Sequence, residues 1–136
     1  MIQVLYIEDE PLNIRLVQKM LNFSGCEVSI AETGLEGIAK AASEVPQVIL
    51  LDINLPDIDG FEVARNIKAM PQCAHIPIIA LTALTLYRDR ERSLNMGCDD
   101  YLPKPTSRVE LINKIQEHAS KPRRAAVVGL EELTAS

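Results

Sequence analysis

No apolar run in this chain approaches the roughly 20 residues that cross a bilayer. The N-terminus has neither the basic stretch nor the apolar core of a secretory signal. A membrane-spanning or exported chain is not expected, and a cytoplasmic one is. A basic excess is missing too: 14 Lys and Arg stand against 19 Asp and Glu, for a net charge of −5. Binding a duplex calls for a basic face that displaces counterions, so direct contact with nucleic acid is not expected. Cysteines are few and odd in number (Cys26, Cys73 and Cys98), and no two have metal-ligand spacing. They read as reduced thiols. His75 and His118 also lack a partner at metal spacing and read as neither donors nor ligands.

What remains is an ordinary globular composition, 47% apolar and 24% charged over 136 residues, enough for one domain with a real core. That domain is expected over 1–120, with 121–136 as a short tail. Short apolar runs alternate with amphipathic stretches. Residues 2–7 read as a strand, and 11–23 as a helix with Leu12, Leu16, Met20 and Phe23 at near-helical spacing. Pro11 suits the first turn of that helix, and Gly25 its end. Residues 27–31 form a second strand, and Thr33 with Glu36 makes a capping box for a helix reaching about Ser43. Val48-Ile49-Leu50-Leu51 reads as a strand buried on both faces, ending at Asp52. A helix over 61–70, a strand over 78–81, a charged helix over 85–96 and a strand over 100–102 follow. The last helix, capped by Thr106 or Ser107, is expected to bury Val109, Ile112 and Ile115. Five strands alternating with five helices argue for a doubly wound parallel sheet.

Such sheets carry their ligands beyond the carboxyl ends of the strands. The ends here are Glu8-Asp9-Glu10 after the first strand, Asp52 after the third, Thr82 after the fourth, and Lys104 between two prolines after the fifth. Clustered carboxylates repel one another unless a cation joins them. All-oxygen ligands favour a hard ion such as Mg²⁺. One carboxylate can then act as nucleophile toward a phosphoryl group, with a lysine to balance charge and a threonine hydroxyl to grip what arrives. Glu10 reads only as a favourable charge at a helix start, and Asp57 and Asp59 as turn residues. A flavodoxin-like cofactor carrier needs a phosphate-cradling loop after the first strand, and Glu8-Asp9-Glu10-Pro11 is the opposite.

Ile7-Glu8-Asp9-Glu10, Leu50-Leu51-Asp52-Ile53-Asn54-Leu55-Pro56 with Asp59-Gly60, Leu81-Thr82-Ala83, and Asp99 through Pro105 together resemble response-regulator receiver (CheY-like) domains over about 2–119. The resemblance implies a flavodoxin-like sheet in strand order 2-1-3-4-5. It implies that Asp52 accepts phosphate from a histidine kinase or a phosphotransfer protein, and that Mg²⁺ is held by Asp9, Asp52 and the main-chain carbonyl of Asn54, with Glu8 contributing through water. Thr82 and Lys104 would bind phosphoryl oxygens, Tyr101 would change rotamer with Thr82, Pro105 would hold Lys104 through a cis peptide bond, and Gly60 would be structural. Autodephosphorylation would be tuned at Asn54 and Leu84, a bulky Leu84 slowing it. Output is expected through protein contacts on the face made by the 85–96 helix, the fifth strand and the last helix, from a monomer or a weak phosphorylation-dependent dimer. Met1 directly before the first strand suggests a free-standing regulator. The alternative is a phosphatase forming an aspartyl phosphate, although haloacid-dehalogenase-type enzymes place that nucleophile after the first strand.

Overall fold

The computed structural model describes residues 1–82 and 97–120. In chain order the elements are β1 (Ile2–Ile7), α1 (Pro11–Met20), β2 (Cys26–Ala31), α2 (Gly34–Glu44), β3 (Val48–Asp52), α3 (Gly60–Ala69), β4 (Ile78–Thr82), β5 (Asp100–Pro103) and α4 (Arg108–Ser120). The strands form one sheet in the order β2-β1-β3-β4-β5, and every pairing is parallel. The helix expected over 85–96 lies outside the described residues, as do Leu84 and 121–136.

Alternation along the central strands builds two cores. Leu5, Ile7, Ile49, Leu51, Ile78 and Ala80 pack with Val63, Ala64 and Ile67 of α3 and Ala41 of α2. Val4, Tyr6, Val48, Leu50, Ile79 and Leu81 face the other way, onto Ile14 and Val17 of α1 and Leu111 and Ile115 of α4. Every residue of β3 and β4 is buried, as the unbroken apolar runs require of a sheet covered on both faces.

Helix starts follow local chemistry. Glu10 caps α1 by accepting from the Leu12 amide, with Pro11 at the first helical position. Thr33 Oγ1 accepts from the Glu36 amide, while Glu36 reaches back to the Glu32 amide. Ser107, rather than Thr106, caps α4 through the Glu110 amide.

Two helix faces differ from expectation. On α1 the stripe facing the sheet is Ile14 and Val17, continued by Leu21, while Leu12, Leu16 and the wholly exposed Phe23 point outward. The helix stops at Met20 because Phe23 takes a left-handed φ of 58°, which ends the 3.6-residue repeat. On α4, Leu111 and Ile115 are buried, and Val109 is exposed.

Candidate functional site

Tyr6, Glu8 and Asp52 reach the carboxyl end of the sheet on one face by the period-two rule. Tyr6 pairs with Leu50 across the β1–β3 ladder, so Glu8 and Asp52, each two residues further on, are neighbours. Glu8 is fully buried and Asp52 nearly so. Glu8, Asp9 and Asp52 each bring a carboxylate oxygen to within 4.8 Å of the others. Leu81 pairs with Leu102 and Thr82 with Pro103, and the Lys104 amide donates to the Thr82 carbonyl at 2.7 Å. That register aims the Lys104 ammonium inward, 2.8 Å from Glu8 Oε1 and 3.2 Å from Asp52 Oδ1. The Lys104–Pro105 peptide bond is cis.

The electrostatics follow from crowding charges out of water. Burial, reinforced by the neighbouring Glu8, pushes the Asp52 carboxyl up from 3.8 to about 7, although Lys104 opposes the shift. Burial also works against ionising Glu8, but hydrogen bonds from Asp52, Lys104 and Tyr6 hold it below the usual carboxylate range. Lys104 pays for burial yet sits above its ordinary value because Glu8 and Asp52 face it. The cluster thus has more negative charge than one ammonium neutralises. A set of three carboxylates with no His or Cys suits a hard divalent cation.

The loop under Asp52 is tightly built. The Asn54 amide donates to Asp52 Oδ1 at 3.2 Å, and the Gly60 amide to the Ile53 carbonyl at 3.0 Å. A Cβ at Gly60 would lie 2.5 Å from Ile53 Cα and 2.9 Å from the Asp52 carbonyl oxygen, so only glycine fits there. Asp59 caps α3 through the Phe61 amide. Asp57 reaches across to α2 and accepts from the Gly34 and Leu35 amides at 2.8 and 2.9 Å, tying this loop to that helix. Thr82 is buried at the end of β4, and Tyr101 is half-buried on β5.

The sequence did not reveal the partners of Asp57, Tyr6 or His118. Tyr6 is fully buried with its hydroxyl 3.0 Å from Glu8 Oε1, a partnership that period-two spacing on β1 would have exposed. His118, read as idle, is buried against Asp100 Oδ2 at 2.8 Å, and Lys114 binds the same oxygen at 2.8 Å. Lys114 and His118 stand four apart on α4, which was the available signal.

A parallel sheet in this order, with acids at the ends of β1 and β3 and a lysine after β5, defines a CheY-like signalling domain. Residues 4–116 match the model of the response regulator receiver domain, and the chain belongs to that family. It is 36% identical to the polar-differentiation response regulator DivK of Brucella ovis over 115 residues, covering 85% of this chain and 94% of DivK. It is 38% identical to the response regulator PleD of Caulobacter vibrioides over 114 residues, 84% of this chain but 25% of PleD. The chain therefore spans about a quarter of the length of PleD and nearly all of DivK. Among solved structures, the receiver domain of sensor histidine kinase PA1611 from Pseudomonas aeruginosa, with magnesium coordinated in its active-site cleft, matches with a TM-score of 0.82 at 36% identity. That match covers 88% of this chain and 98% of the other. The chain is a response-regulator receiver domain, and nothing in these likenesses supports the phosphatase alternative. Among the described residues, no helix is long and apolar enough to cross a membrane.

Proposed function

We propose that Asp52 is the residue that takes the phosphoryl group, from the phosphohistidine of a sensor kinase or a phosphotransfer protein. A carboxylate oxygen of Asp52 forms the new O–P bond as the N–P bond breaks, and the electron pair stays on the imidazole nitrogen. The observation that carries this reading is the convergence of Glu8, Asp9 and Asp52 oxygens within 4.8 Å, with Lys104 Nζ 2.8 Å from Glu8 and 3.2 Å from Asp52.

Asp9, Asp52 and the Asn54 carbonyl would hold Mg²⁺, with Glu8 acting through water. When bound, the ion offsets charge on the carboxylates and the entering phosphoryl oxygens. Lys104 turns its ammonium to one phosphoryl oxygen, and the Thr82 hydroxyl binds another. Tyr101 follows Thr82 and carries the change to the face made by β5 and α4, where the downstream protein docks. Water attacking the acyl phosphate resets the domain, and no other enzyme activity is assigned. The setting is cytoplasmic, the state a monomer or a weak phosphorylation-dependent dimer, and the working domain 1–120.

The donor approaches along α1. Leu12 and Leu16 are 66% and 47% exposed. Leu16 borders a groove of about 310 Å³ that runs past Met20 to Lys104 and Pro105, and Lys104 in turn contacts Glu8 and Asp52. Exposed leucines on α1, one of them on a groove that leads to Lys104, suit an amphipathic partner helix that carries the donor histidine. Incubation with a phosphorylated histidine domain tests the assignment. Transfer to the wild type and none to Asp52→Asn is expected, and equal transfer to both would refute it.

A further inference from the structure

Glu8 Oε1 accepts two hydrogen bonds, from Lys104 Nζ at 2.8 Å and from the Tyr6 hydroxyl at 3.0 Å. Its other oxygen has a long contact to the Glu10 amide, at 3.5 Å, and the Asp52 carboxyl also hydrogen-bonds Glu8, a partner that phosphorylation of Asp52 would remove. Glu8 and Tyr6 are both fully buried. A buried carboxylate that loses its cation, with no donor left on the same oxygen, is costly. Under the reading of Asp52 as acceptor, Lys104 faces that demand at each cycle, because the ammonium turns from Glu8 toward the phosphoryl group.

We propose that Tyr6 is a positioning residue for phosphorylation: its hydroxyl keeps a donor on Glu8 Oε1 while Lys104 leaves for the phosphoryl oxygen. The inference rests on the Asp52 reading and adds a residue to it. Tyr6 suits the task. Its ring is locked in the core formed with α1 and α4, so the hydroxyl keeps one direction. In the resting state the two donors are partly redundant. In the phosphorylated state Tyr6 stands without Lys104, so its removal weighs on that state.

The test compares the wild-type chain with Tyr6→Phe, which keeps the ring and deletes the donor. Beryllofluoride, a phosphoryl mimic, is titrated at saturating Mg²⁺, and Mg²⁺ alone is titrated by calorimetry. Affinity for the mimic is expected to fall about tenfold, the scale of one hydrogen bond to a charged group. Mg²⁺ affinity is expected to stay within about twofold, since Lys104 still neutralises Glu8. Equal losses in both titrations, or none for the mimic, would overturn the proposal. A second measurement needs no variant. The Tyr6 hydroxyl proton, followed by NMR in the wild type, is expected to persist and move downfield when the mimic binds. Its disappearance would overturn the proposal even if Tyr6→Phe failed to fold. A wild type that binds no mimic would instead remove the Asp52 reading itself.

Discussion

Replacing Asp52 with Asn should stabilise the metal-free protein, although it removes the proposed acceptor. In the fold the Asp52 carboxyl titrates at about 7, against 3.8 ordinarily, because burial and Glu8 outweigh the attraction of Lys104. The folded state therefore holds a proton that the unfolded chain has already released between these values. By linkage, stability falls as pH rises through that window, and the full penalty stands above about pH 7. At about 1.4 kcal/mol per pH unit the ceiling is close to 4 kcal/mol, and solvent at the cleft mouth reduces it to roughly 1–2 kcal/mol. For a domain of this size that is a rise in Tm of about 4–8 °C for Asp52→Asn at pH 8 in chelator. The gain should shrink toward zero near pH 4, where both proteins carry an uncharged group at this position. Adding Mg²⁺ should raise the wild-type Tm more than that of the variant, since the ion relieves the repulsion that Asn lacks. Thermal melts monitored by circular dichroism across pH, with and without Mg²⁺, supply the data. A variant less stable than wild type at pH 8, or a difference that does not change with pH, would refute the reasoning.

Leu16→Glu should slow transfer from a phosphorylated histidine domain at least tenfold while leaving labelling by a small acyl-phosphate donor within twofold, as paired kinetic assays would show, because Leu16 sits on the rim and not among the acids. Gly60→Ala should cost about 1–3 kcal/mol in denaturant melts and weaken Mg²⁺ binding, because its Cβ would press on the backbone of Asp52 and Ile53. Leu111→Ala should cost about 2–5 kcal/mol in the same melts, whereas Val109→Ala should fall within about 0.5 kcal/mol. The order follows from their burial, complete for Leu111 and slight for Val109. Asp57→Ala should cost about 1 kcal/mol by removing the acceptor for two amides at the start of α2. Those amides hold its carboxyl below the usual range, so the contribution is present at neutral pH and lost in acid.

The strands and their order were legible because a strand buried on both faces has few other ways to look. Val48 to Leu51 and Ile78 to Leu81 admit no amphipathic reading, and each ends on the polar residue that marks the edge of the sheet. The same runs placed Glu8, Asp52, Thr82 and Lys104 on one edge, which the structure brings together. Helix faces were less legible where two apolar stripes compete. On α1, Leu12 and Leu16 mimic a core stripe as well as Ile14 and Val17 do, and spacing does not say which one meets the sheet. Polar pairs were only partly legible. The spacing of Lys114 and His118 puts them on one face of α4 but does not name Asp100, 18 residues from His118, as their shared partner, and the spacing of Tyr6 and Glu8 puts them on one face of β1 without showing that the hydroxyl meets the carboxylate.

The central claim is that the crowded acids at the ends of β1 and β3 make Asp52 the one residue that carries phosphate. Intact-protein mass spectrometry after treatment with a small acyl-phosphate donor measures this directly. One phosphoryl group per wild-type chain is predicted, dependent on Mg²⁺, absent from Asp52→Asn and labile to hydroxylamine as an acyl phosphate must be. Phosphate gained equally by the Asn variant, or by the wild type in excess chelator, would contradict the account.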